Sequence, residues 1–449
     1  MSVEPHPVSS ADQLYGETTA YLFGLQRFGI KFGLENMQRM LHAFGTPHHR
    51  LRTVHIAGSN GKGSVAAFVA KIMQKAGYRV GLYTSPHLSD FTERIRIDGQ
   101  AIAHEKVVQL TCAIRERQHK IAREDGTTDS PTSVVNMTFF EFTTLMALLF
   151  FAQNEVDLAV VEVGMGGRLD ATNVLVPLIS VITTISKEHQ QYLGNTIEEI
   201  SREKAGIIKP HGILVTSVTQ PKVLAQFRSR CRELGSAMYT LGEEFSVKGT
   251  GPREFDYQGV VAAYQGLQVE MAGEYQLPNA ALAVATAELL EKQGLRADER
   301  AVREGLRETR WPGRLEQMNA NPTVVLDGAH NLEAIRKLRQ ELQRNWSYRR
   351  LILVIGIMED KAIKPILKEI LPLGYYAIFT RPKGERSASP AFLFRCGRRL
   401  IPHAEIVEDV KEAVRKAMVV ASRNDLICVT GSLYTVAEAR EVFSARVEL

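Results

Sequence analysis

Seven consecutive residues, Gly58-Ser59-Asn60-Gly61-Lys62-Gly63-Ser64, gather three glycines, one lysine and two hydroxyls between an apolar run and a helical one. A glycine-rich turn of this kind lets backbone N–H groups face a phosphate, and the helix that follows adds favourable partial positive charge. Lys62 is placed to reach β- and γ-phosphates, and Ser64 to offer a hydroxyl to Mg²⁺. The fit to G-x-x-x-x-G-K-[ST] is imperfect, because Ile56 stands where that pattern opens on glycine and Gly63 separates Lys62 from Ser64. The plain alternative is a tight strand–helix turn with an exposed lysine. A nucleotide loop also needs an acid for its metal, and Glu162 stands near the end of the apolar run 157–163. A glutamate there is costly unless it is paired or metal-bound, so it is a ligand or half of an internal ion pair. The residues after it, Gly164-Met165-Gly166-Gly167, do not make a dinucleotide fingerprint.

The elements around these residues read as α/β. Residues 11–49 are helical in pattern, 53–57 a strand, 65–75 a helix stopped at Gly77, and 80–84 a strand stopped by Ser85-Pro86. Residues 118–135 are polar and read as a loop, 142–151 as an apolar helix. The runs 157–163, 178–185 and 213–218 are nearly continuous in apolar residues, as strands of a parallel sheet covered on both faces are. Alternation with turns over 240–272 predicts an antiparallel excursion, and 278–292 a helix. At Trp311-Pro312-Gly313 the pattern breaks and strand–helix alternation restarts, with strands at 324–326, 351–355, 377–380 and 426–430. Two domains are expected, 1–311 and 312–449.

Composition excludes several classes. Of 449 residues, 45% are hydrophobic and 23% charged, which rules out a mostly disordered or collagen-like chain. A formal net charge of +5 is too weak to signal nucleic-acid binding. No apolar stretch approaches the roughly 18 residues that span a bilayer, and the N-terminal residues lack a secretory pattern. Cys112, Cys231, Cys396 and Cys428 form no C-x-x-C pair, which argues against a zinc module or disulfide framework. The cytoplasm is the expected compartment.

Nine ordered segments sharpen this reading: HIAGSNGKGS (55–64), TSPHL (84–88), ERIRIDG (93–99), TFFEF (138–142), VVEVGMGGRLDATNV (160–174), YLGNTIEEISREKAGIIKP (192–210), WPGRLE (311–316), LDGAHN (326–331) and GSLYTVAEAR (431–440). With them the chain resembles the folylpolyglutamate synthases, some of which are also dihydrofolate synthases, within the Mur-ligase-like family. The resemblance implies an N-terminal P-loop nucleotide-binding α/β domain and a smaller C-terminal Rossmann-like α/β domain, with ATP and substrates meeting between them. It implies ATP-dependent ligation of L-glutamate to a folate carboxylate through an acyl phosphate. Dihydropteroate as a further substrate stays open. A monomer is implied, with small-molecule substrates and neither nucleic acid nor membrane as partner.

The same resemblance implies residue roles. Gly58 to Ser64 would cradle the ATP phosphates. Ser85 and Glu162 would hold a first Mg²⁺, with Ser64 as the loop hydroxyl; Glu162 and His189 would serve a second. Lys204 would be carbamylated by CO₂ into a further oxygen ligand, and its bland alternative is an exposed helical lysine. Gln276 and Asn279 would lie near adenine, Arg314 on the phosphates, Asp327 at the ribose. His330 would stand on the substrate side, with Ser432 and Tyr434 near the amino acid. Three departures stand out: Ser59 where threonine is usual, Glu188 beside His189 where aspartate is common, and Tyr275 before Gln276 where histidine is common. Arg168, Asp170 and Asn173 fit the family pattern without an evident role. Two rivals share the phosphate loop: a Mur-type ligase acting on a UDP-linked cell-wall precursor, and a P-loop switch or motor. TSPHL, VGMGGRLDATNV and GSLY favour the folate branch over the first. The absence of a basic run of six disfavours the second.

Overall fold

Val54, Ile56 and Ala57 are wholly buried, as residues of a strand covered on both faces are. The computed structural model describes residues 10–29, 31, 33–124, 136–384 and 386–444. The strand is β1 (Thr53–Ala57), followed along the chain by β2 (Val80–Tyr83), β3 (Ile95–Ile97), β4 (Gln100–Ala101), β5 (Leu158–Glu162), β6 (Ile179–Ile182), β7 (Ile213–Thr216) and β8 (Ala237–Thr240). These eight form one sheet in the order β4-β3-β2-β5-β1-β6-β7-β8. From β2 to β8 the pairing is parallel. The β3–β4 hairpin joins antiparallel at the β2 edge. Because β5 lies between β1 and β2, the chain leaves β1 in one direction for β2 and later fills its other side with β6. In such sheets, ligands bind outside the carboxyl ends of the strands, at the point where the order switches. The turns after β1, β2, β5 and β6 all open on that edge.

Helices cover both faces. One face packs Leu22, Met37, Met40, Phe142 and Phe151 against Tyr83, Ala159 and Val161. The other packs Ile200, Ile207 and Phe227 against Ala57, Ile182 and Leu214. Phe142 and Phe151 are fully buried, each worth about 1.5–3 kcal/mol. The helix expected at 65–75 begins at Lys62, inside the glycine-rich turn. The expected loop at 118–135 needs correction over its first residues: the helix His104–Glu124 continues through 118–124, because Ile114, Gln118 and Ile121 keep one buried face at helical spacing. Residues 125–135 lie outside the described residues.

Residues 246–268 form a three-stranded sheet, β9 (Ser246–Gly251), β10 (Glu254–Gln258) and β11 (Ala263–Gln268), in the order β11-β10-β9. Gly259 N donates to Ala262 O at one end and Val269 N to Arg253 O at the other, so β10 and β11 run antiparallel. The helix Gln276–Glu291 follows. The last sheet contains β12 (Glu316–Ala320), β13 (Thr323–Leu326), β14 (Leu351–Ile355), β15 (Tyr376–Arg381), β16 (His403–Asp409) and β17 (Leu426–Thr430), in the order β12-β13-β17-β14-β15-β16. It is parallel except for β12. Its two edge strands, β12 and β16, were not among the expected ones.

The chain forms two compact units. The first holds the described residues up to Ser246 with Tyr257–Tyr264 and Asn279–Leu306. The second holds Val247–Asp256, Gln265–Pro278 and the described residues from Arg307 onward. Among the described residues, no helix is long and apolar enough to cross a membrane. All four cysteines are free thiols.

Candidate active site

Two glycines let the phosphate loop close on itself. Gly58 has φ +142° and Gly61 has φ +90°, both in the region that favours glycine. A Cβ on Gly58 would strike the Thr183 side chain, and one on Gly61 would lie 2.5 Å from Asn279 Oδ1. Residues just after β6 brace the turn. Ser59 N donates to Thr184 O at 2.7 Å, Thr183 Oγ1 donates to Asn60 O at 2.7 Å, and Ser186 N donates to Ser59 Oγ at 2.9 Å. The hydroxyl of Ser59 is therefore a latch between two strand ends. Lys62 opens the following helix, half-buried, with Nζ 3.5 Å from Ser59 O. Gly63 and Ser64 are buried in its first turn.

Beside the loop stand the acids. Glu162 ends β5, is 5% exposed, and lies in register with Ile56 of β1. Its Oε2 accepts from Ser85 N at 3.2 Å, so the turns after β2 and β5 meet at this carboxylate. After β6, Glu188 and His189 follow, and His189 sits at φ +45°. Lys204, from the helix Ile197–Ala205, is 2% exposed. Its Nζ lies 2.8 Å from Glu188 Oε1 and donates to Gly58 O at 3.0 Å. The lysine is thus no exposed helical residue; it is bonded to the phosphate loop. Burial alone would raise the Glu188 carboxyl, but the Lys204 ammonium and then Lys62 outweigh it and bring it to about 2. Burial pulls Lys204 below its ordinary value, with Glu188 opposing.

The donor set suits Mg²⁺. Carboxylate and hydroxyl oxygens of Glu162, Ser85 and Ser64 are hard ligands, and no three His, Cys, Asp or Glu side chains form an all-protein cage among the described residues. Mg²⁺ characteristically takes one or two carboxylates and leaves the other positions to phosphate and water.

The structure gives work to residues that sequence reading left idle. Arg168 N donates to Glu203 O at 2.8 Å, and its guanidinium pairs with Glu203 Oε1 at 3.0 Å. Asn173 Nδ2 donates to Arg168 O at 2.9 Å and to Gly206 O at 3.2 Å. Asp170 Oδ2 accepts from Met165 N at 2.9 Å, closing the loop on itself. The turn after β5 therefore grips the end of the helix that bears Lys204. The spacing R-x-D-x-x-N was visible in sequence; its target, a helix some thirty residues on, was not.

The remaining candidates fall mostly in the second unit. Asp327 follows β13, 4% exposed, and accepts from Leu315 N at 3.0 Å, Ala329 N at 2.9 Å and Tyr275 Oη at 3.2 Å. Burial raises the Asp327 carboxyl, and Arg314 acts against that rise. A Cβ on Gly328 would lie 3.1 Å from Arg314 Nη1, which locates the guanidinium over that glycine. His330 Nδ1 lies 2.9 Å from Gly328 O. Ser432 is 2% exposed and caps the helix Leu433–Ser444, accepting from Thr435 N at 3.0 Å, while Tyr434 is 39% exposed. Gln276, wholly buried, begins the helix Gln276–Glu291, and Asn279 of that helix meets the phosphate loop at Gly61.

Comparison with known proteins bears on this geometry. The Mur ligase middle domain profile matches residues 56–287, and that of the Mur ligase glutamate ligase domain matches 313–433. The dihydrofolate synthase/folylpolyglutamate synthase of Bacillus subtilis is 34% identical, over 95% of this chain and 98% of its own. The Mycobacterium tuberculosis folylpolyglutamate synthase complexed with ADP superposes with a TM-score of 0.89 at 32% identity, over 97% of this chain and 99% of that one. Escherichia coli FolC in complex with DHPP and ADP gives 0.84 at 30% identity, over 96% and 98%.

Proposed function

This chain belongs to the Mur ligase family, among the folylpolyglutamate and dihydrofolate synthases, and from that premise we propose how its own residues join L-glutamate to a folate with ATP. The single observation that carries the reading is the buried contact of Lys204 with both Gly58 O and Glu188, which ties the phosphate loop to the acid-bearing turn after β6.

The folate carboxylate attacks the γ-phosphorus of ATP, and the bond to the β-phosphate oxygen breaks. The products are an acyl phosphate and ADP. The neutral amine of L-glutamate then attacks the acyl carbon; the amide forms and phosphate leaves, carrying one former carboxylate oxygen. Both first reactants are anions, so their approach needs positive charge held in place. Lys62 and the N–H groups that open its helix supply it at the phosphates, and Arg314 is assigned a second, planar cationic contact there. Asn279 and Gln276 are assigned to the adenine side, Asp327 to the ribose, and His330, Ser432 and Tyr434 to the glutamate side. Ser64, Ser85, Glu162 and His189 would hold two Mg²⁺ ions, and Lys204, once carbamylated and so released from its ion pair with Glu188, would add an oxygen ligand. When bound, these ions neutralise phosphate charge and polarise the transferring group. Residues 1–311 would do the nucleotide work and 312–449 would present the amino acid. The enzyme would act as a monomer in the cytoplasm.

The test follows one oxygen. With ¹⁸O in the folate carboxylate, one label should appear in released phosphate for each glutamate added. Unlabelled phosphate alongside glutamyl product would overturn the acyl phosphate. Both dihydropteroate and tetrahydrofolate should be offered, since the Bacillus subtilis relative carries both synthase names.

A further inference from the structure

Strand β1 carries an imidazole that the reaction above does not use. His55 is wholly buried, in register with Val161 of β5 and Ser180 of β6. Its Nε2 lies 2.7 Å from Thr172 Oγ1, which in turn is hydrogen-bonded to Asp170 Oδ1. Asp170 fixes the direction of the protons. Its Oδ2 accepts from Met165 N at 2.9 Å and its Oδ1 from Thr172 N at 3.0 Å. A carboxylate facing N–H donors on both oxygens is an acceptor, so Thr172 gives it the single hydroxyl proton. Thr172 Oγ1 must then accept from His55, and His55 must carry its proton on Nε2. The other nitrogen, Nδ1, is left as a lone pair. It is buried with no hydrogen-bond partner, a place where an N–H would be left unsatisfied. Burial, and next Lys209, hold the ring neutral, with its pKa lowered to about 3.

This chain of donors ends on the loop that grips the Lys204 helix. We propose that His55 is a positioning residue of the ligase centre: as the Nε2–H tautomer it anchors Thr172 and Asp170, and through the 164–173 loop it holds Lys204 against Gly58. The inference rests on the function proposed above, and its test separates the two.

Five proteins are compared: the native enzyme, His55→Leu, Thr172→Val, the double variant of these two, and His55→Gln, whose amide N–H falls near the Nε2 position. One lost buried hydrogen bond in a chain of this kind corresponds to about a tenfold change in rate. His55→Leu and Thr172→Val should each lower kcat about tenfold with little change in the KM for folate. The double variant should fall no further, because both break one chain. His55→Gln should recover most of the loss. A kcat unchanged in both single variants while Tm falls would make His55 core packing only. Losses that multiply would make the two residues independent. Imidazole ¹⁵N and ¹³C shifts of the native protein read the tautomer without any variant, and an Nδ1–H ring would overturn the proposal. If the native enzyme forms no glutamyl product, the proposed function fails. His55 is then judged on ATP affinity, which should weaken in the Leu and Val variants and hold in Gln.

Discussion

Lys62 and Lys204 show how differently two lysines serve one loop. Lys62 is half-buried, its amine only 3.5 Å from Ser59 O, and it can extend to a phosphate. Lys204 is 2% exposed and committed to Gly58 and Glu188. Lys62→Ala should therefore cost turnover and little stability, with kcat down about 10²–10³-fold for one lost charge-stabilising donor and Tm near that of the native protein. An active, well-folded Lys62→Ala would remove the phosphate role. Glu188→Gln acts in the opposite way, leaving a buried ammonium without its counter-charge. Loss of one partner of such a pair costs about 3–5 kcal/mol, to be read by chemical denaturation. The sign with pH follows from the lowered Glu188 carboxyl. Its contribution is fully present above the ordinary value of 4.5 and is lost as pH falls toward about 2. Acid unfolding of the native protein should show this loss, and Glu188→Gln should not.

At the scale of elements, the helix Ile197–Ala205 depends on its cap. Thr196 Oγ1 accepts from Glu199 N at 3.2 Å, while Glu199 Oε2 accepts from Thr196 N at 3.0 Å and Asn195 N at 2.7 Å. Removing the hydroxyl by Thr196→Ala should cost about 1 kcal/mol, seen as a lower denaturation midpoint. Because this helix carries Lys204, kcat should fall with it; a stability loss with unchanged kcat would uncouple helix from site. The strand–turn–helix around Gly58 was legible because periodicity, glycine and lysine all mark it locally. The acids were legible as well, since Glu162 interrupts an apolar run. What the sequence could not display was reach. The latch from Thr183, Thr184 and Ser186 onto the loop joins residues more than a hundred positions apart. Edge strands β12 and β16 escaped notice because their half-exposed residues carry no continuous apolar signal. Residues 118–124 read as a loop because polar side chains outnumber the buried Gln118, Ile121 and Ala122 that keep the helix going.

At the scale of the molecule, each sheet sets its candidate residues at the carboxyl edge of its parallel strands, one with the phosphate loop and Glu162, the other with Asp327 and the residues around it. The first assignment was readable from one motif. The second came only through the resemblance of LDGAHN and GSLY, and the internal bonds of Asp327 and Ser432 show only once the strands are ordered. Arg314 belongs to this scale, because it is fixed beside Asp327 yet is assigned to the nucleotide. Arg314→Ala should lower kcat far more than it lowers Tm; proportionate losses would mark the arginine as part of the turn's structure alone. ATP-driven joining of glutamate to a folate can be read by mass spectrometry of one reaction mixture. Purified protein is given ATP, Mg²⁺, L-glutamate and, in parallel, tetrahydrofolate or dihydropteroate. The expected product is heavier by one glutamate residue, with one ADP and one phosphate released per addition. ATP bound to the protein, with neither acceptor gaining glutamate, would contradict it.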